Sequence, residues 1–231
     1  MTDIEYDKNK GLPEGGVVPD WRHVQHLRKY DAASGVPEDV GRSQKDWLDE
    51  KHHRAYGRPW ALGLYQMQFM REHGLKRTDR LLDFGCGAGR FGVRAIRYLD
   101  QDCYRGVEAH LRSLLAFARY EIPLHELEDR APRLLYDRDL ALGHFQEEFD
   151  VIFDFFSSAH LPPAIQTRFL QATSAHLKTD GRLFSVPGFT KDTDLAECGV
   201  ALVEEAEQRL PMLEGHGYEA VNHWQILKKV E

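Results

Sequence analysis

Leu81-Leu82-Asp83-Phe84-Gly85-Cys86-Gly87-Ala88-Gly89-Arg90-Phe91-Gly92 is the stretch on which the fold turns. A short apolar run passes into glycines at alternate positions, and then into the helical spacing of Phe91, Ala95, Ile96 and Leu99. This reads as strand, loop and helix. Glycines let the backbone approach a ligand closely, while the first N–H groups of the helix point toward it. Four glycines between Gly85 and Gly92 cost more conformational entropy than a plain turn requires, so the loop is read as a ligand cradle.

Working outward, the same alternation recurs. Tyr104 to Val107 is a second strand, closed by Glu108, and Leu111, Leu114, Leu115 and Ala118 form the stripe of the next helix. Leu134-Leu135-Tyr136 is a third strand. Val151-Ile152-Phe153 with Phe155-Phe156 is a fourth, apolar on both faces as central parallel strands are. Pro162-Pro163 opens a helix carrying Ile165, Phe169 and Leu177, and Arg182 to Val186 is a fifth strand. Such alternation predicts an α/β fold, a doubly wound and mostly parallel sheet.

Upstream, residues 1–59 are read as an arm and helical lid: residues 1 to about 43 lack sustained periodicity around a short helix near Trp21 to Tyr30, and Ser43 to Tyr56 can be helical. Residues 60–231 form the ligand-binding domain. It begins with a helix faced by Leu62, Leu64, Tyr65, Met67 and Phe69, and Gly74 caps that helix in the left-handed conformation. Trp47, Tyr56, Trp60, Tyr65 and Phe69 carry too much aromatic surface for a free arm, which places the lid over the ligand edge of the sheet.

The 231 residues are 42% hydrophobic and 29% charged, which suits one well-filled globular domain with an extension. No apolar run reaches the roughly 18 residues of a membrane span. The acidic, polar start Met1-Thr2-Asp3-Ile4-Glu5 does not resemble a secretory signal, so a cytoplasmic location is expected. A net charge of -7 disfavours nucleic acid as a partner. Cys86, Cys103 and Cys198 form no C-x-x-C pair and fit neither a disulfide scaffold nor a zinc knuckle. His23 and His26 lack an acidic partner at ligand spacing, so no metal is expected.

Two ligand classes compete for the loop. Gly87-x-Gly89-x-x-Gly92 matches the dinucleotide fingerprint, with Glu108 at a suitable distance for ribose hydroxyls. Asp83, however, would repel a pyrophosphate, and it makes better sense beside a cationic ligand whose ammonium it receives directly or through water.

At these residues the chain resembles the class I S-adenosylmethionine-dependent methyltransferases. Leu82 to Gly89 is similar to their first motif, Gly106-Val107-Glu108 to the second, Phe149 to Phe153 to the segment entering the fourth strand, and Leu177 to Leu183 to the turn into the fifth. The resemblance spans residues 60–231. It implies S-adenosyl-L-methionine as cofactor, held by Asp83, Gly85, Cys86, Gly87 and Gly89 in the loop, by Glu108 at the ribose, and by Asp137 or Asp139 at the adenine amine. Phe155, at the end of the fourth strand, joins this set. Gly217-Tyr218-Glu219 and Trp224 to Leu227 are similar to the closing antiparallel strands, but the short span from Tyr218 to Val230 predicts one bent strand or a very short pair.

Methyl transfer is an in-line displacement at a carbon activated by its sulfonium leaving group, so alignment supplies much of the catalysis and a base is needed only when the acceptor must lose a proton. His160, just beyond the fourth strand, has the titration range of a general base, and it also suits a structural role at the start of the next helix. Asp154-Phe155-Phe156-Ser157 stands where amino-directed nucleic-acid methyltransferases carry an Asn- or Asp-Pro-Pro-aromatic motif. Its absence favours a small-molecule acceptor, methylated on oxygen before nitrogen. His52, His53 and Tyr56 are lid candidates for acceptor contact or a solvated helix face. Arg90, Arg94 and Arg97 read as a solvent-facing stripe, with Arg90 nearest the ligand's carboxylate. The rival readings are an oxidoreductase binding NAD, a methyltransferase acting on RNA or protein, and a catalytically silent partner subunit.

Overall fold

Strands built from consecutive Leu, Val, Ile and Phe must be covered on both faces, and here they are. The computed structural model describes residues 62–138, 142–191, 193–210 and 221–230. The expected arm and lid, with His23, His26, His52, His53 and Tyr56, lie outside the described residues, as do Asp139 and Gly217-Tyr218-Glu219.

Strand β1 (Leu81–Phe84) is buried at every position and lies parallel between β2 (Tyr104–Glu108) and β4 (Phe149–Phe155). With β3 (Arg133–Tyr136), β5 (Leu177–Val186), β6 (Val200–Arg209) and β7 (Val221–Lys229), they form one seven-stranded sheet in the order β3-β2-β1-β4-β5-β7-β6. The first five strands are parallel and β7 runs antiparallel to both its neighbours. The doubly wound, mostly parallel sheet predicted from the sequence is therefore present.

Alternate residues of each strand face opposite layers. Leu81, Val151, Phe153 and Phe184 pack with the helices α1 (Leu62–Glu72) and α2 (Gly92–Tyr98), and with Phe117 just beyond α3 (Leu111–Ala116). Leu82, Phe84, Ile152 and Leu183 pack on the other side against Phe169 and Leu170 of α4 (Pro163–His176). Helix α1 is held through Phe69, whose ring stacks on Trp224 of β7 at 4.4 Å and on His73 at 3.9 Å. It ends as expected at Gly74 with φ of 85°. Gly74 N–H donates to Arg71 O and Leu75 N–H reaches back to Met70 O, while the Leu75 side chain turns into the core.

Two expectations are corrected. The closing edge is neither a single bent strand nor a very short pair, because β6 and β7 pair from Val200↔Lys229 to Arg209↔Val221. β6 escapes sequence reading because residues 201–205 are all exposed, Glu204, Glu205 and Glu207 dominate it, and a bulge between Leu202 and Glu204 breaks the alternation. The expected turn at Leu177 to Gly181 lies inside β5. There the register advances from Leu177 to Arg182 while β4 advances only from Phe149 to Val151, so the turn is taken up as an irregularity of the ladder.

The ends of the strands opposite the glycine loop are fastened by charge. Arg105 of β2 is buried, and its guanidinium meets Glu147 at 2.5 Å and 3.1 Å while also donating to Asp102 O at 2.9 Å. Removing one member of a buried pair leaves the other charge uncompensated. Glu147→Ala is expected to lower stability by about 3–5 kcal/mol in urea denaturation. Affinity for ligands of the glycine loop should not change, since the pair sits at the far ends of β2 and β4.

Candidate active site

β1 and β4 are neighbours, yet the chain leaves β1 toward β2 on one side and enters β4 from the other. Open parallel sheets have their ligand crevice at such a reversal, beyond the carboxyl ends of the strands. The glycine loop lies there. Gly85 and Cys86 N–H both donate to Val107 O, at 2.8 Å and 3.0 Å, which folds the loop back over β2. Gly85, Gly87 and Gly89 have φ of 73°, 56° and 89°, a region that other residues enter only with strain. At Gly85 space adds to the demand, because a Cβ would lie 1.8 Å from the Ser157 hydroxyl.

Glu108, ending β2, joins the loop to the next turn. One carboxylate oxygen accepts from Gly87 N–H at 2.8 Å and the other from His110 N–H at 2.7 Å. Asp137 follows β3 directly, is buried, and donates its N–H to Glu108 O at 3.1 Å. The structure thus brings Asp83, the loop glycines, Glu108 and Asp137 together along the ends of β1, β2 and β3. Cys86 is buried with its sulfur over Gly106. Burial, with Asp83 and Glu108 nearby, pushes its thiol well above the usual range, so Cys86 shapes the loop and is no nucleophile.

Asp83 points into the layer between the sheet and α2, where it is buried and accepts a 2.6 Å hydrogen bond from the Tyr104 hydroxyl. Desolvation pushes its carboxyl up to about 7. The Tyr104 bond and Arg90 pull the other way, while Glu108 and Asp154 add to the rise.

Past β4 a second buried carboxylate organises the opposite wall. Asp154 accepts from Ser157 and Ser158 N–H at 3.2 Å and 2.9 Å, from the Ser185 hydroxyl at 2.7 Å, and from the Ser158 hydroxyl. These bonds draw the chain after Phe155 inward, and Phe156 takes a φ of 62°, strained for a bulky side chain. Phe155 ends β4 with its ring 5.0 Å from that of Phe156, 5.7 Å from Trp224, and 5.9 Å from the Arg90 guanidinium. His160 closes the short 3-10 turn Ser158–His160.

The arginine stripe is corrected. Arg97 is exposed, but Arg94 is buried, donates to Arg90 O at 3.0 Å, and has its ionisation lowered to about 9 by desolvation and by Arg97, with Glu121 opposing. Sequence reasoning missed Tyr104, Asp154 and Ser185. An Asp inside an otherwise apolar strand was the available signal, since such a carboxylate must find donors when buried. Among the described residues, no group of three or more His, Cys, Asp or Glu side chains is placed to hold a metal ion, and no helix is long and apolar enough to cross a membrane.

Comparison with known proteins agrees with this geometry. A family model described as a methyltransferase domain matches residues 82–183, from β1 into β5. No curated protein matches the chain in sequence. Among solved structures, the chain is similar to magnesium protoporphyrin IX methyltransferase from Synechocystis PCC 6803 with bound SAM, with a TM-score of 0.58, 10% identity, and coverage of 84% of this chain and 97% of that one. It is also similar to a ribosomal protein L11 methylase from Lactobacillus delbrueckii subsp. bulgaricus, with a TM-score of 0.52, 15% identity, and coverage of 74% and 78%. A cyclase of the 4+2 type has the same fold, with a TM-score of 0.57, 15% identity, and coverage of 74% and 82%.

The buried carboxyl has a measurable signature. Because Asp83 titrates near 7 when folded and near 3.8 as its ordinary value, the native state holds the proton more tightly between those limits, and stability falls as pH rises from about 4 to about 7. Above that range the loss is complete and constant. Asp83→Asn keeps an acceptor for Tyr104 and removes this dependence. The variant is expected to match the parent near pH 4 and to exceed it at pH 8 by at most about 4 kcal/mol, measured by denaturant unfolding across pH.

Proposed function

We propose that this chain, whose residues 82–183 match a methyltransferase domain, is a class I methyltransferase that uses S-adenosylmethionine as methyl donor and methylates a small-molecule acceptor on oxygen. The observation that carries the donor-site reading is the row of acids along one sheet edge, Asp83, Glu108 and Asp137 at the ends of β1, β2 and β3, with positive-φ glycines between the first two. The residues fit the donor's parts in order. Asp83 faces the ammonium of its amino-acid portion, Glu108 accepts from the ribose hydroxyls, and Asp137 accepts from the adenine amine. Gly85 and Gly87 let the backbone approach.

The rival dinucleotide reading is weakened at Gly89. In that fingerprint the second glycine lets backbone approach a pyrophosphate. Here the side a Cβ would occupy is filled by Phe117, whose ring carbon would lie 2.3 Å away.

When bound, S-adenosylmethionine supplies a methyl group on a sulfonium leaving group. The protein's own part is to align the acceptor and exclude water, and for a hydroxyl acceptor to take up its proton. Phe155 and Phe156 stand beside the strand ends as an apolar wall, and His160, the last residue of the 3-10 turn that follows, is the proposed base. The net charge of -7 and the Asp154-Phe155-Phe156-Ser157 sequence support a small acceptor over RNA. A protein acceptor, or a silent partner subunit, would show itself in the assays below.

S-adenosylhomocysteine should bind and raise the melting temperature, by about 2.7 kcal/mol of added stability at 100 times its dissociation constant, while NAD should not. Glu108→Ala should weaken that binding by about 1.5–3 kcal/mol in calorimetric titration. Incubation of a metabolite extract with labelled donor should yield a labelled small molecule. If label enters only macromolecules, the acceptor assignment is wrong. With the acceptor in hand and the donor saturating at every pH, so that Asp83 does not enter, His160→Ala should cut turnover by about 10²–10⁴-fold and remove its titration near neutral pH, with donor affinity retained.

A further inference from the structure

We propose that Tyr104 is a positioning residue for the donor site, its hydroxyl holding the Asp83 carboxylate in the orientation and ionisation that receive a ligand ammonium. This rests on the reading above that Asp83 faces the ammonium.

The geometry is specific. In the β1–β2 register Asp83 lies opposite Gly106, so its own partner offers no side chain, and Tyr104, opposite Leu81, spans the interval along the same face. Its phenol reaches Asp83 Oδ2 at 2.6 Å, and both residues are buried. The proton stays on the phenol, because burial and the neighbouring Asp83 push the Tyr104 ionisation well above its usual range.

Room for that hydroxyl is cut from α2. A Cβ on Gly92 would lie 2.5 Å from the Tyr104 hydroxyl oxygen and 2.5 Å from the tip of the Phe117 ring. Gly92, which the sequence offers as the last glycine of a dinucleotide fingerprint, is thereby explained by the tyrosine. Phe117 opens a π-helical turn (Phe117–Glu121) and sets its ring edge-on to Tyr104, with centroids 6.1 Å apart and planes at 83°. It also fills the space beside Gly89, so one aromatic side chain braces both the cofactor loop and the tyrosine.

The charged groups around Asp83 do not replace this bond. Glu108 on β2 and Asp154 on β4 both oppose its ionisation, buried Cys86 carries no charge, and Arg90 at the start of α2 favours it less than the Tyr104 bond does. A hydrogen bond to the charged form is the term that keeps a desolvated carboxylate available at neutral pH. Tyr104→Phe removes the hydroxyl and keeps the ring against Phe117, so the fold is expected to persist.

The test is calorimetric titration with S-adenosylhomocysteine from pH 5.5 to 8.5 on the full chain, its Tyr104→Phe and Asp83→Asn variants, and the double variant. In the unaltered protein affinity should fall as pH drops through about 7, the range where Asp83 takes up a proton. Tyr104→Phe should displace the midpoint upward by about one unit, which weakens binding by about fivefold at pH 7 and by about tenfold well below it, one unit being tenfold. In the Asp83→Asn background the same substitution should change nothing. Carbon-13 NMR of the Asp83 carboxyl, without ligand, should show the same upward displacement in Tyr104→Phe. An unchanged pH profile and carboxyl titration in Tyr104→Phe, or an equal loss in both backgrounds, overturns the proposal alone. Absence of binding by the unaltered protein at every pH overturns the donor-site reading together with it.

Discussion

A carboxylate with almost no exposed surface, near the end of the inner strand β1, is the constraint around which the rest of the described structure is arranged. Asp83 is unfavourable where it stands, and its neighbours make sense as responses to it. Tyr104 gives it a donor, Gly92 makes room for that donor, Phe117 holds the donor's ring, and Gly89 makes room for Phe117. The loop that follows is therefore set by packing beneath it as much as by its own glycines. A folded state that carries such a group gives up stability in exchange for a site, the usual relation between strained sites and the scaffolds that hold them.

The parallel half of the fold was legible because its signals are local and strong. Leu81-Leu82-Asp83-Phe84 followed by alternate glycines has few other readings, and the proline pair at Pro162-Pro163 marks its helix start. The antiparallel edge was not legible. β6 is covered on neither face through much of its length, so no period of two is imposed on its side chains, and its glutamates carry the composition of a solvated helix. The candidate site divides in the same way. The acids at strand ends are visible from spacing, whereas Tyr104 matters through a contact across two strands, and Asp154 through Ser158 in the next turn and Ser185 on the adjacent strand.

The fold alone does not choose the chemistry. Similar structures include one methyltransferase named for a porphyrin, another for a ribosomal protein, and a cyclase. These proteins share the sheet and the crevice at its reversal point, so what distinguishes this chain is local. On the β4 side this chain carries the strained Phe156, the Phe155 ring beside Arg90 and Trp224, and the Asp154 carboxylate that ties the turn to β5. Loss of Ser158 or Ser185 would leave the buried Asp154 carboxylate short of donors, which constrains any change in this wall.

The placement of β7 between β5 and β6 has a consequence for the nascent chain. β6 leaves the ribosome before β7, yet among the described residues β7 is its only neighbour in the sheet, so β6 waits for that later strand to pair. Trp224, which stacks with Phe69 and lies beside Phe153 and Phe155, arrives in that same late segment. A chain interrupted before Val221 would thus display an open strand edge on β5 and three uncovered phenylalanines. Unpaired strand edges and exposed apolar surface of this kind make incompletely folded chains prone to aggregate. Pairing of β6 and closure of the aromatic core thus become one event.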